Sequence, residues 1–243
     1  MVALMFRSLV APVLKCAAVA AAFLSLVSCH LSAPVPPEFW SDKNAKVAVA
    51  VSVRDGAKFI HRTGGGDFPA RNHAAAGALG RVKADDFRAT RGKFAAELRK
   101  RGFRNVEEVK GDIDWRGFPP VGHNQLMAGR DYSSLMAARN ADYLVILSLN
   151  EYGVTQRALG SVIVGTVGVA APWGSAQTTG VMVRRGGGKA VWFTGPVAGM
   201  QSTEVEENWN QAPNYPALVK AVHEVQKVSG EFLIHEFFGY PEE

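Results

Sequence analysis

Residues 141–157, ADYLVILSLNEYGVTQR, constrain the fold of this chain more than any other stretch. From 143 to 147 every side chain is apolar or aromatic, so no register offers this run a wet face. A short run of that kind, bounded by polar residues, reads as a strand buried on both faces. Its end alternates and leaves the core. A second strand is written in KVAVAVSV (46–53), where Val47, Val49, Val51 and Val53 share one face and small residues take the other.

Helical patterns lie between and after these strands. Residues 85–101 read as one helix. Asp85 and Asp86 suit its positive end, and Phe87, Phe94, Ala95 and Leu98 fall on one face. Arg99, Lys100 and Arg101 crowd its negative end, where Gly102 can take the left-handed stop. Asp131 reads as the cap of YSSLMAARN. The closing segment 214–239 reads as a helix capped by Asn214, with Pro216 in its first turn and Gly230 splitting or bending it. RDGA (54–57) reads as a hairpin turn returning through KFIHR, because Asp-Gly tolerates positive φ. TGGGDFPARNH (63–73) reads as a loop, AAAGALGRV as a short helix and FRNVEEVKG as a strand. GVMVRRGGGKAVWFTG (180–195) reads as a hairpin about the glycines at 186–188. This order predicts an α/β (mixed α+β) sandwich of two or three layers, a mixed sheet flanked by helices.

The front of the chain has a different character. Residues 1–28 hold Arg7 and Lys15 and no acid, and 13 uncharged residues follow Lys15. That is the n-region and h-region of a secretory signal, too short to cross a bilayer as a helix. It ends in Leu26-Val27-Ser28-Cys29, which resembles a bacterial lipobox. The resemblance implies cleavage before Cys29 and lipid on its sulfur, with the new amino group usually acylated as well. Cys16 is lost with the signal, so the mature chain holds no disulfide and no cysteine zinc site. His30 follows the cysteine, where an aspartate in such lipoproteins commonly causes retention in the inner membrane. The expected address is therefore the periplasmic face of the outer membrane. Three parts follow: a signal peptide (1–28), the acylated cysteine with a Pro-rich tether (29–45), and one periplasmic α/β domain (46–240). Phe39 and Trp40 in the tether are expected to dock on the domain.

The element order of residues 46–238 resembles a group of bacterial envelope lipoproteins with a fold like the amino-terminal domain of TolB. The curli-secretion and peptidoglycan-synthase-activator lipoproteins belong there. The likeness is carried by NADYLVILSL after a helix, the VMVRRGGGKAVWFTG hairpin and a long final helix. It transfers no functional residue.

Other motifs point nowhere specific. Glycines 64–66 lack a following Lys-Ser/Thr, and GSVIVGTVG (160–168) has the wrong spacing for a dinucleotide fingerprint. Six histidines make no H-E-x-x-H, and a site from His61, His73 and Asp67 is a weak candidate for metal. Asp112 with Asp114 lacks a calcium loop. Ser133 and Ser134 read as first-turn helix residues rather than nucleophiles. No catalytic, cofactor or metal residue is expected, and the one modified position is Cys29. Without Arg7 and Lys15 the chain has 25 Lys and Arg against 22 Asp and Glu, net +3. That excess is too mild for nucleic acid, and the basic stretch 88–104 reads as a solvated helix face.

Residues 158–183 carry no charge and are interrupted by Pro172-Trp173-Gly174. They suit either a buried strand pair or ordered loop, or a membrane-inserting hairpin. Three functions follow: a non-enzymatic outer-membrane lipoprotein that binds or assembles an envelope protein partner, a subunit of an oligomeric secretion channel inserting 158–183, and a periplasmic hydrolase.

Overall fold

The computed structural model describes residues 34–63, 66–69, 73–123, 125–159, 168–169, 171–186, 190–194, 200–206 and 208–239. Its spine is a pair of long antiparallel strands. β5 (Tyr143–Leu159) and β7 (Trp173–Arg184) stay paired from Tyr143 opposite Arg184 to Thr155 opposite Trp173. Each outer edge of the spine carries two shorter strands laid end to end. On the β5 side, β1 (Lys46–Val53) runs parallel to residues 143–149, and β2 (Lys58–Thr63) runs parallel to residues 153–157. On the β7 side, β8 (Ala190–Phe193) lies along 181–183 and β9 (Met200–Glu204) along 173–177. β4 (Asn105–Asp112) borders β1 in parallel, and β3 (Gly66–Pro69) borders β2 antiparallel. A two-residue strand, β6 (Gly168–Val169), pairs with the tip of β5. The sheet is mixed, as expected, and divides into two halves that share β5 and β7.

One face is covered by α1 (Pro37–Ser41), α2 (His73–Leu79), α3 (Asp85–Arg88), α4 (Thr90–Lys100) and α6 (Pro216–Phe238). Val47, Val49, Val145 and Leu147 pack there against Phe94, Leu98 and Val222. The other face, over the β4–β1–β5–β7–β8 half, is covered by residues 113–136 and α5 (Ser133–Arg139). Ala48, Ala50, Leu144 and Ile146 meet Met127, Tyr132 and Met136 there. The run 143–147 is thus buried on both sides because its odd residues enter one core and its even residues the other.

Several expectations are corrected. RDGA is a jog, not a reversal: Val53 lies opposite Leu149 and Lys58 opposite Gly153, so five steps on one strand match four on the other. Gly56 does adopt positive φ, +101°. Positive φ serves a bulge as readily as a turn, and here it lets the line of β1 continue into β2. The antiparallel return comes later, in the segment read as a loop, where β3 pairs with β2 from Thr63 opposite Gly66. The uncharged run is interrupted at Pro172, outside any strand, but Trp173 and Gly174 are not part of a turn: Trp173 opens β7 between Thr155 and Glu204. Residues 173–183 are therefore a central strand with Val181 and Met182 fully buried, which removes them from any hairpin inserting 158–183 as a unit. Residues 160–167 and 170 lie outside the described residues.

The helices show smaller departures. Residues 85–101 divide at Ala89 into α3 and α4, yet Phe87, Phe94, Ala95 and Leu98 form the buried stripe as read. α6 is continuous through Gly230, and Tyr215, not Asn214, precedes it at φ +46°. Gly230 is present for close packing: a Cβ there would overlap Thr90 Oγ1. Within the stretch read as a tether, residues 37–41 are helical and Phe39 is fully buried, 4.7 Å from the Phe103 ring and 5.0 Å from that of Tyr143, so Phe39 docks as expected. An apolar ring in reach of a forming core gains far more by burial than by solvation.

Candidate binding surface

Cys29, the one site residue predicted from sequence, lies outside the described residues, as does the signal segment before it. What the structure adds is a surface that no motif announced. It arises from one residue. Leu149 pairs with Thr178 and Glu151 with Gln177, so Asn150 is an extra residue in β5. Before it, odd residues face the helices. After it, the even residues Tyr152 and Val154 do. The slip hands Glu151 and Thr155 to the opposite face. Asn150 is pinned on both sides: its Oδ1 accepts from Ser148 Oγ at 2.9 Å and its Nδ2 donates to Thr179 Oγ1 at 2.8 Å.

Over this half of the sheet no element among the described residues forms a second layer. The result is an open trough of about 460 Å³. Its floor is polar: Glu151, Thr155 and Ser175 with Gln177 and Ser202. Ile60, Trp173 and Met200 supply apolar walls, and Met200 is 54% exposed. Thr155 and Ser175 bond to each other at 2.7 Å across the strands, and Glu151 accepts from Lys58 Nζ at 3.3 Å. The trough therefore offers hydroxyl and amide hydrogen bonds beside an indole. Its one carboxylate is held by a lysine, and no histidine lies among the described residues lining it.

The other titratable groups sit elsewhere. His223 Nδ1 lies 2.6 Å from Asp86 Oδ2 and joins α6 to α3. Burial pushes the Tyr152 hydroxyl up to about 12, and it donates to the Val82 carbonyl while accepting from Gly56 N–H. Asp112 pairs with Arg88, and Asp114 caps a short 3-10 turn at Arg116. Asp131 accepts from Ser133 N–H at 2.9 Å at the start of α5, so Ser133 and Ser134 are first-turn residues as read. His61 lies in β2, Asp67 in β3 and His73 opens α2. No group of three metal-ligating side chains occurs among the described residues. The only sequence signal for the trough was an asparagine inside a strand, a residue that strands disfavour.

No family model and no curated protein matches the chain. Among solved structures it is similar to protein XCC0632 from Xanthomonas campestris, of the DUF330 family model, at 10% identity and a TM-score of 0.35, over 84% of this chain and 89% of that one. It is also similar to the PelC dodecamer from Paraburkholderia phytofirmans at 15% identity and a TM-score of 0.27, over 82% and 93% of the two chains. A third is lipoprotein GNA1162 from Neisseria meningitidis at 13% identity and a TM-score of 0.27, over 74% and 96%.

Proposed function

We propose that this chain is a non-enzymatic lipoprotein of the bacterial outer membrane. Lipid on Cys29 holds it at the periplasmic face, where it acts as a binding or assembly partner for another envelope protein. The observation that carries the binding role is the half of the sheet over which no second layer lies among the described residues, a trough lined by Trp173, Gln177, Met200 and Ser202. The anchor rests on Leu26-Val27-Ser28-Cys29 closing an apolar run. Two or more acyl chains hold a protein to a bilayer far more firmly than one.

Two substitutions separate the anchor from the trough. Cys29→Ala is expected to lose labelling by an alkyne fatty acid and to leave an uncleaved precursor, and a labelled variant would sink the anchor. Gln177→Arg is expected to keep lipidation and folding while losing a defined cross-link, placed from a photoreactive residue at 202, to an envelope protein. An unchanged cross-link would remove the trough from the binding role.

A further inference from the structure

Two arginine clusters lie beyond the carboxyl ends of β1 and β4, and they are built in opposite ways. Arg88 is neutralised. Its guanidinium lies 3.0 Å from Asp55, 2.9 Å from Asp85 and 2.7 Å from Asp112. Arg116 and Arg130 form the other cluster, against Trp115, and Arg54 is near enough for its charge to act on Arg116. The Arg116 guanidinium lies 4.4 Å from the centre of the Trp115 ring and that of Arg130 lies 5.6 Å from it.

Among the described residues none of these three arginines forms a salt bridge with a carboxylate. Arg130 spends its donors on the Phe118 and Gln125 carbonyls and the Gln125 side chain. Among the described residues the Arg116 side chain has no hydrogen-bond partner, although the residue is half-buried. The acid that acts on it is Asp114, whose carboxylate accepts the Arg116 backbone N–H at 3.1 Å. Two further donors, Trp115 Nε1 and Arg130 Nε, are buried with no acceptor. Burial first, then the charges of Arg54 and Arg130, pull the Arg116 pKa down.

Three cations against one carboxylate leave an excess of two positive charges in a partly desolvated place, a costly arrangement unless an anion joins it. Planar guanidinium groups bind tetrahedral oxyanions through paired N–H donors, and a phosphate monoester carries close to two negative charges. We propose that Arg116 and Arg130, set against Trp115, together with the nearby Arg54, form a binding site for a phosphate group. The phosphate can belong to a free ester or to a lipid headgroup. This site is separate from the trough and does not depend on the function proposed for it.

The test titrates the full chain, held in neutral detergent, with inorganic phosphate in one arm and with micelles containing phosphatidic acid in the other. Saturable binding in at least one arm is expected. Arg116→Gln should weaken it about tenfold or more, the usual loss for one charge-assisted pair. Arg139→Gln, which disturbs only the Glu107 pair, should bind like the wild type. Arginine-dependent binding of phosphate assigns a free ester, and such binding of the micelles alone assigns a headgroup. Thermal unfolding without phosphate supplies a second readout. Arg116→Gln should unfold no earlier than the wild type, because it relieves repulsion. Absence of saturable binding in both arms overturns the site. So does an Arg116→Gln variant that binds unchanged, or one that unfolds earlier without phosphate while phosphate leaves the wild type unshifted.

Discussion

Asp112 Oδ2 accepts two hydrogen bonds from Arg88, from Nε at 2.9 Å and from Nη2 at 2.7 Å. This fork ties the end of β4 to α3, and the same Nη2 reaches Asp55 in the jog after β1. Arg88→Ala is expected to lower stability by about 1–2 kcal/mol, because the network is partly exposed and its strength is screened. A urea titration measures it.

The same network sets a pH dependence. The hydrogen bond from Arg88 holds the Asp55 carboxyl below its ordinary value, and Lys46 does the same for Glu107. A carboxyl with a depressed folded pKa contributes stability above its unfolded pKa and loses it as pH falls through the folded one. The urea midpoint should therefore be flat near neutrality and fall below about pH 4. Arg88→Ala should flatten part of that fall. A midpoint that rises on acidification would contradict the assignment.

Gly230→Ala tests the contact between α6 and α4. The new methyl would overlap Thr90 Oγ1, and overpacking of this kind costs about 1–3 kcal/mol. The double variant Thr90→Ala, Gly230→Ala should recover most of the loss, since alanine is the better residue inside a helix by about 1 kcal/mol. Equal losses in the single and double variants would mean that the contact is not the cause.

Phe39→Ala measures how firmly the front of the chain belongs to the body. A fully buried phenylalanine truncated to alanine costs about 3–5 kcal/mol. A loss below about 1 kcal/mol would return residues 37–41 to the tether.

Asn150→Ala removes the two side-chain bonds that pin the bulge. A loss of about 1–2 kcal/mol is expected. Deleting Asn150 should cost no more, because Leu149 then joins Glu151 directly and regular alternation keeps Glu151 on the trough face. Chemical denaturation measures both variants, and an Asn150→Ala variant as stable as the wild type would refute the pinning role given to Asn150.

The elements that sequence revealed are those whose pattern is local. The alternation of Val47, Val49 and Val51 fixes a strand face without reference to any partner, and the spacing of Phe87, Phe94 and Leu98 fixes a helical stripe. What stayed hidden was pairing. Asp55-Gly56 supplies a positive φ, but whether the chain then reverses or runs on depends on β5, almost a hundred residues away. Pro172-Trp173-Gly174 carries turn composition, yet two neighbouring strands hold Trp173 extended. The trough depends on a single slip at Asn150, which leaves no periodic trace. The arginine cluster joins residues from three separate segments.

The burial of Phe39 sets a length. From Cys29 to Phe39 is ten residues, and a fully extended chain spans at most about 3.6 Å per residue, or about 36 Å in all. Lipid on Cys29, as proposed, would keep the body from roaming away from the membrane. It would then stay in a thin shell along the leaflet and explore that shell by lateral diffusion. A partner confined to the same leaflet would meet it through a two-dimensional search at a raised effective concentration, so modest contacts in the trough would suffice for a lasting pair.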